Sequence, residues 1–326
     1  MHALIRIWRA AATGAVALLL ATAALATYPD KPIKLIVPYA PGGITDNLAR
    51  ALADGIGREL KQPIIVDNRA GAGAMVGTGA AARSPADGYT LLMATNGNMT
   101  VTPLVTKKLN YDPIRELRVI SVVAEVPTVV VTNLQTQLSD LRGLAAYGKA
   151  NEGKLNFASL GQGNVTYLTA KKIETELGVR MTEVPYKGSV PALTALMSND
   201  VQLYVDVLPG ALPFIQAGKL KALAVPMEKR IPWLPDTPTL QEAGYSKFHA
   251  ASWLGLAVPT GTPPEVVTAL QQATARFIRD EKFRATFTKA GILMMQPMEA
   301  AQVDDYVKAD RDRWGALIRE HNISID

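Results

Sequence analysis

Apolar and polar positions along this chain switch repeatedly between the period of a strand and the period of a helix. Residues 33–39, IKLIVPY, form a compact β-rich run. After Ala40-Pro41-Gly42-Gly43, the apolar residues Ile44, Leu48, Leu52, Ile56 and Leu60 recur at four-residue spacing, as one face of an amphipathic helix requires. Strand, glycine turn and helix are the opening of an α/β unit. The pattern continues with strands at 64–66 and 89–94 around a small-residue helix in the 71–83 region. It restarts with a strand at 155–159, a turn at 161–164 and a helix at 166–177. Strand 181–186, helix 191–197, strand 201–207, helix 211–217 and strand 220–225 complete the series. One chain thus holds two α/β sets.

Two apolar stretches connect them. Residues 122–131 read as a strand broken by Pro127, and residues 252–258, SWLGLAV, precede a proline-rich step at 259–264. Long helical patterns follow at 265–290 and 298–321, while residues 226–245 read as an extended connection ending in a short helix around 240–243. If both stretches cross between lobes, the C-terminal helices return to the first. The expected architecture is α/β with lobe 1 from residues 27–124 and 253–326, lobe 2 from 125–252, two crossing strands, and a ligand cleft between the lobes.

Length agrees with two domains, since 326 residues are about twice what one core usually organises. With 48% hydrophobic and 19% charged residues the chain is neither disordered nor polytopic. The absence of cysteine excludes disulfides, thiolate metal sites, iron–sulfur clusters, thiol nucleophiles and a lipidated N-terminal cysteine. Residues 1–26 read as a secretory signal peptide: Arg6 and Arg9 lead, an apolar run follows, and Ala24-Leu25-Ala26 offers small residues at the cleavage site. That run is short for the roughly 20 residues that a bilayer span needs. Loss of Arg6 and Arg9 takes the formal charge from +5 to +3, too dilute over the mature chain to argue for nucleic acid. The expected location is the periplasm.

Few residues offer catalytic or cofactor chemistry. Gly71-Ala-Gly73-Ala-Met-Val-Gly77 imitates a dinucleotide turn, but the next strand ends in Ala94-Thr95-Asn96 and lacks the acid that would hold a ribose. Gly143 to Lys149 imitates a phosphate loop, yet Ala150 stands where a serine or threonine would hold magnesium, and no strand precedes it. Of the three histidines, His249 and His321 lie in the mature chain, and neither sits in a metal-ligand spacing. No cofactor, no metal and no enzymatic activity are expected. The alternative is an extracytoplasmic carboxylate-processing enzyme using the same cleft, with Asp46 or Asp206 as base.

What remains are two glycine turns, Pro41-Gly42-Gly43-Ile44-Thr45-Asp46 and Ser159-Leu160-Gly161-Gln162-Gly163-Asn164-Val165-Thr166, one in each lobe where a strand hands over to a helix. Glycines let backbone N–H groups approach a ligand, and the positive helix end favours an anion. Thr45, Asn164 and Thr166 add neutral polar groups suited to a carboxylate. Glycines in strand-to-helix turns also serve tight packing in any α/β fold, so these residues alone leave both readings open.

Larger motifs carry a resemblance. Val37-Pro38-Tyr39-Ala40-Pro41-Gly42-Gly43 with Thr45-Asp46, Asn68-Arg69-Ala70-Gly71-Ala72-Gly73, Asp87-Gly88-Tyr89-Thr90-Leu91-Leu92 and Val184-Pro185-Tyr186-Lys187-Gly188 occur in order. So do Leu234-Pro235-Asp236-Thr237-Pro238 and Ala257-Val258-Pro259-Thr260-Gly261-Thr262-Pro263. Together they resemble the tripartite tricarboxylate transporter substrate-binding family, also called the Bug family. The resemblance implies a periplasmic solute-binding protein of the Venus-flytrap kind, closing on a small organic acid held by the first-lobe turn while second-lobe loops select the rest. It also implies a membrane permease or a sensory partner, and the chain is expected to be monomeric. The expected ligand-binding set is Tyr39, Pro41, Gly42, Gly43, Thr45, Asp46, Thr95, Asn96, Gly161, Gly163, Asn164, Thr166, Tyr186 and Asp206. The second lobe departs from the family pattern: serine is usual where Asn164 stands, histidine where Tyr167 stands, and serine where the 207–211 loop has Gly210. These departures point to an altered distal pocket.

Overall fold

In the computed structural model, which describes residues 28–161 and 163–324, side-chain alternation along each strand separates two cores. The expected signal peptide lies outside the described residues. β1 (Ile33–Val37) places Ile33, Leu35 and Val37 in one hydrophobic cluster and Ile36 in another. Helix α1 (Ile44–Leu60) packs Leu48, Leu52 and Ile56 onto the first of these faces. Each is at most 1% exposed and contributes roughly 1.5–3 kcal/mol. β2 (Ile64–Asn68) and β3 (Thr90–Thr95) flank β1 in parallel, with α2 (Met75–Ala82) between them in sequence. The helix expected over 71–83 is shorter, because Ala72 and Ala74 turn left-handed before it starts. After β3 comes a π-helical turn, Gly97–Val101, running into the short helix α3 (Thr102–Val105).

β4 (Leu117–Asn133) is one continuous 17-residue strand, where a break at Pro127 was expected. Its first part pairs antiparallel with β9 (Ala251–Pro259) as far as Pro127↔Ala251, and its last part pairs with β7 (Leu203–Val207) from Thr128 onward. Proline lacks a donor, and here the missing N–H falls where the strand changes neighbours, so no ladder is interrupted. Bulges interrupt the β4–β9 ladder, and at Gly255 the two strands come so close that a Cβ would lie 2.1 Å from the Ser121 carbonyl oxygen.

The second half repeats the first. Helix α4 (Leu141–Ala150) leads into β5 (Asn156–Ser159), α5 (Val165–Leu177), β6 (Thr182–Pro185) and α6 (Ser189–Met197), then β7, α7 (Leu208–Gln216) and β8 (Leu220–Ala224). β5 pairs in parallel with β6 and β7, and β8 runs antiparallel to β4. The sheet order is β2-β1-β3-β9-β4-β7-β5-β6, with β8 and β10 (Leu293–Met294) also on β4. Its two halves are each covered on both faces, which accounts for the four separate hydrophobic clusters.

Two helical readings change. The pattern at 265–290 divides into α8 (Pro264–Phe277) and α9 (Glu281–Lys289), because Asp280 caps a new helix by accepting from Phe283 N at 2.7 Å. The helix expected near 240–243 is a single turn. Thr239 and Glu242 exchange side-chain and backbone hydrogen bonds there, and Gly244 at φ +92 ends it. The last helix, α10 (Ala300–Glu320), buries Val303 in the first-half core and Trp314, Leu317 and Ile318 in a second-half core.

Candidate functional site

The carboxyl ends of β1, β3, β5 and β7 border one cavity of about 710 Å³, lined from both halves. This is the crevice where open α/β sheets place ligands, and its volume suits a small organic molecule. Tyr39, Thr45, Thr95, Asn96, Gly161, Gly163 and Asn164, all expected from the sequence, line it together. Pro41, Gly42, Gly43, Asp46, Thr166, Tyr186 and Asp206 are outside the lining.

The first-half wall is built on hydrogen bonds. Tyr39 Oη and Thr95 Oγ1 are 2.7 Å apart, and Asn98 Oδ1 accepts from Thr95 N at 2.7 Å. Burial pushes the Tyr39 phenol above its ordinary value, so it remains a neutral donor at physiological pH. Asn96 Nδ2 donates to Ala251 O at 3.0 Å, tying the end of β3 to the start of β9. Beneath the turn, Asp46 accepts from Gly42 N at 2.9 Å, from Arg50 Nε at 2.9 Å and from Asn68 Nδ2 at 2.8 Å. Burial alone would raise its carboxyl, but these donors outweigh burial and hold it at about 2. Asp46 therefore fastens the turn from below. It lies in the first turn of α1, whose N-cap is Gly43, with no side chain capping the helix.

The second-half wall differs. Ser159 Oγ accepts from Gly161 N at 2.9 Å, shaping the turn. Asn164 is the N-cap of α5, and its Oδ1 accepts from both Thr166 N and Thr166 Oγ1 at 3.0 Å. Thr166 is thereby turned inward, 3% exposed. Tyr186 is half-buried against the core behind β5. Asp206 is buried in β7, takes a hydrogen bond from Ser189 Oγ at 2.6 Å, and has no partner at Oδ1. Burial pushes it up to about 6.

Sequence reasoning missed the floor and the rims. Val126 of β4 and Ser252, Trp253 and Leu254 of β9 form a floor where the two halves join. Trp253 is fully buried and donates Nε1 to Asp310 Oδ2 at 2.9 Å, so α10 fixes its ring. The turn before α2 adds Ala72, Gly73 and Met75, and Gly97, Thr102 and Thr106 follow from the segment after β3. A sequence signal for this rim was present in the glycine run at 71–73, which imitates a dinucleotide turn but lacks its acid. No Asp, Glu, Lys, Arg or His is among the described lining residues, which leaves them without a nucleophile–base pair. At about 2, Asp46 is also too acidic to serve as a base near neutral pH.

Helix N-termini from both halves reach this uncharged cavity: Ile44 and Thr45 of α1, Met75 of α2, Val165 of α5, and Val207, the N-cap of α7. The profile of the family described as "Tripartite tricarboxylate transporter family receptor" matches residues 48–323. The chain belongs to that family. Protein BugT of Bordetella pertussis is 35% identical over 297 residues, covering 90% of each chain. Among solved structures, Rpa4515 of R. palustris with adipate superposes with a TM-score of 0.80 at 31% identity, covering 91% of this chain and 99% of that one. MatC (Rpa3494) from Rhodopseudomonas palustris with bound malate gives 0.76 at 31% identity, covering 89% and 100%. As a member of the tripartite tricarboxylate receptor family, the chain is a solute-binding protein with the two-lobed periplasmic binding fold. No helix among the described residues is long and apolar enough to cross a membrane.

Proposed function

We propose that this receptor captures a small organic carboxylate in the cavity between its halves, in the periplasm, and passes it chemically unchanged to a membrane permease of the tripartite tricarboxylate type. The observation that carries this reading is the convergence of helix N-termini on a cavity whose described lining residues carry no charge. Each helix end favours an anion by roughly 0.3–1 kcal/mol when exposed, and by more when water is excluded. The α1 end is free to act because no side chain caps it. Thr45, Thr95 and Tyr39 stand beside it as neutral hydrogen-bonding groups, with waters bridging where the ligand falls short. Holding a carboxylate by dipoles, without a buried lysine or arginine, avoids leaving an unpaired charge in the empty site and so suits repeated release. The adipate and malate held by the two solved relatives support the same ligand class.

Capture works through closure, since the ligand stabilises whichever arrangement lets both walls touch it. The lobes we assign are residues 27–124 with 253–326, and residues 125–252, with Trp314, Leu317 and Ile318 at the end of α10 reaching across into the core of the second. They articulate where β4 changes partners at Pro127 and where β9 begins at Ala251. We assign the monomer as the working unit.

A melting-temperature screen tests the reading. The purified chain, refolded free of carried-over ligand, is heated with aliphatic, hydroxylated, amino and aromatic carboxylates. A ligand at a hundredfold excess over its Kd adds about 2.7 kcal/mol, raising Tm by a few degrees in a protein of this size. A shift confined to carboxylates supports the assignment. The same shift with the matching uncharged amides and esters, or none with any carboxylate, defeats it.

A further inference from the structure

A buried carboxyl stands one residue behind the second-half wall. Asp206, near the end of β7, is 1% exposed, and the next residue, Val207, both lines the cavity and is the N-cap of α7. That nine-residue helix starts without a side-chain cap. Gly210 in its first turn packs against the carboxyl so closely that a Cβ would lie 2.4 Å from Asp206 Oδ2. From α6, Ser189 Oγ donates to Oδ2 at 2.6 Å. From β7 come the Val207 N–H and Tyr204, two residues earlier on the same face, whose Oη has no partner. From β4 comes Val129, paired with Asp206 in register. None of these groups is charged, and Oδ1 has no partner.

With no cation beside it, an ionised Asp206 draws on the partial positive charge of the helix ends it touches, α6 through Ser189 and α7 through Gly210. Of these two helices, only α7 borders the cavity among the described residues. An anion in the cavity and an ionised Asp206 therefore compete for one helix end, and they repel each other across a wall one residue thick. Building on the carboxylate reading above, we infer that Asp206 is a positioning residue that acts through α7: protonated, it leaves the α7 end free to hold an anionic group of the ligand, and ionised, it claims that end for itself. The receptor thus holds its ligand more tightly when Asp206 is neutral. By reciprocity, binding draws a proton onto Asp206. Burial pushes this carboxyl up to about 6, so the change falls where ordinary carboxylate ligands are already mostly ionised.

Calorimetric titration at constant ionic strength decides the matter. The refolded, ligand-free chain and its Asp206→Asn variant are titrated with adipate, malate, hexanoate and phenylacetate between about pH 5 and about pH 8. Dividing the two Kd values cancels the ionisation of the acid itself. For the acid that binds most tightly, the wild-type Kd should rise about tenfold relative to that of the variant across this range. Near the middle of the range, titrations in buffers of different ionisation enthalpy should show proton uptake by the wild type beyond that of the variant. Ser189→Ala serves if Asp206→Asn does not fold. It removes a donor that favours the ionised form, so the midpoint of the pH dependence should move to higher pH. A constant Kd ratio with equal proton uptake, or an unmoved midpoint in Ser189→Ala, overturns the inference while leaving the carboxylate reading intact. No binding by any of the acids at any pH overturns both.

Discussion

Asp46 and Asp206 occupy comparable places in the two halves, each where a strand passes into a helix, and meet opposite fates. Asp46 has three donors and is held at about 2. Asp206 has Ser189 on one oxygen, none on the other, and is pushed up to about 6 by burial. The contrast extends to the helix ends, open at α1 and closed by Asn164 at α5. A repeated α/β unit does not make a repeated anion site. What differs is where the side chains spend their hydrogen bonds. In the first half they fasten the turn from below and leave the helix end open, whereas in the second half they consume it.

The strongest way to break this contrast is Asp46→Ala. It strands the donors of Gly42 and Asn68, and we expect a loss of about 4 kcal/mol in urea unfolding together with loss of ligand binding. Stable protein with unchanged affinity would remove the clamp from the account. The same carboxylate sets an acid limb. Because its folded value lies below the unfolded one, its contribution is present above about pH 4 and is lost as pH falls toward 2. Asp46→Asn should lack that limb.

Asp206→Asn tests the opposite sign. The fold favours the neutral carboxyl of Asp206, so wild-type stability from this group is present below the ordinary carboxylate value and is lost as pH rises through about 6. The variant should not show that loss, and it should gain up to about 3 kcal/mol on the wild type at mildly alkaline pH. Coincident Tm–pH curves for the two proteins would mean that Asp206 finds partners in solution. Gly42→Val comes next in size. Gly42 holds φ +88, which a β-branched residue adopts at a cost of about 2 kcal/mol, although a Cβ there meets no neighbour within 4 Å. The expected result is a lower Tm and weaker binding, because the strain bends the turn that presents α1.

Asn164→Ala has the smallest effect and sharpens the comparison most. Uncapping α5 should cost about 1 kcal/mol in thermal unfolding. It also frees the helix end for an anion, so the affinity of adipate relative to hexanoate should rise. A fall in that ratio would show that Asn164 itself receives the second carboxylate of a diacid.

Much of this was legible along the chain. The α1 face at Leu48, Leu52 and Ile56 follows from periodicity, and the two glycine turns were identifiable because each sits between a β-rich run and a helical one. The split between α8 and α9 was less so, since Asp280 acts as a cap only by bonding Phe283 N, and an aspartate in a helical pattern also reads as a solvated face. Pro127 looked like a break because a lone proline usually is one. It is harmless here since β9 ends its pairing and β7 begins at that residue, a fact set by segments far away in sequence.

Local order along the chain therefore determined the alternating strands and helices, the open turn at Gly42 and Gly43, and the family, because each depends on neighbours within one or two turns. Tertiary structure alone decided that Val126, Trp253 and Leu254 floor the cavity, that Asp46 is fastened while Asp206 is left short of donors, and that one helix end is open and the other closed. Those outcomes depend on which distant donors reach a buried oxygen. Burial and hydrogen bonding are properties of the packed neighbourhood, which no stretch of sequence contains by itself.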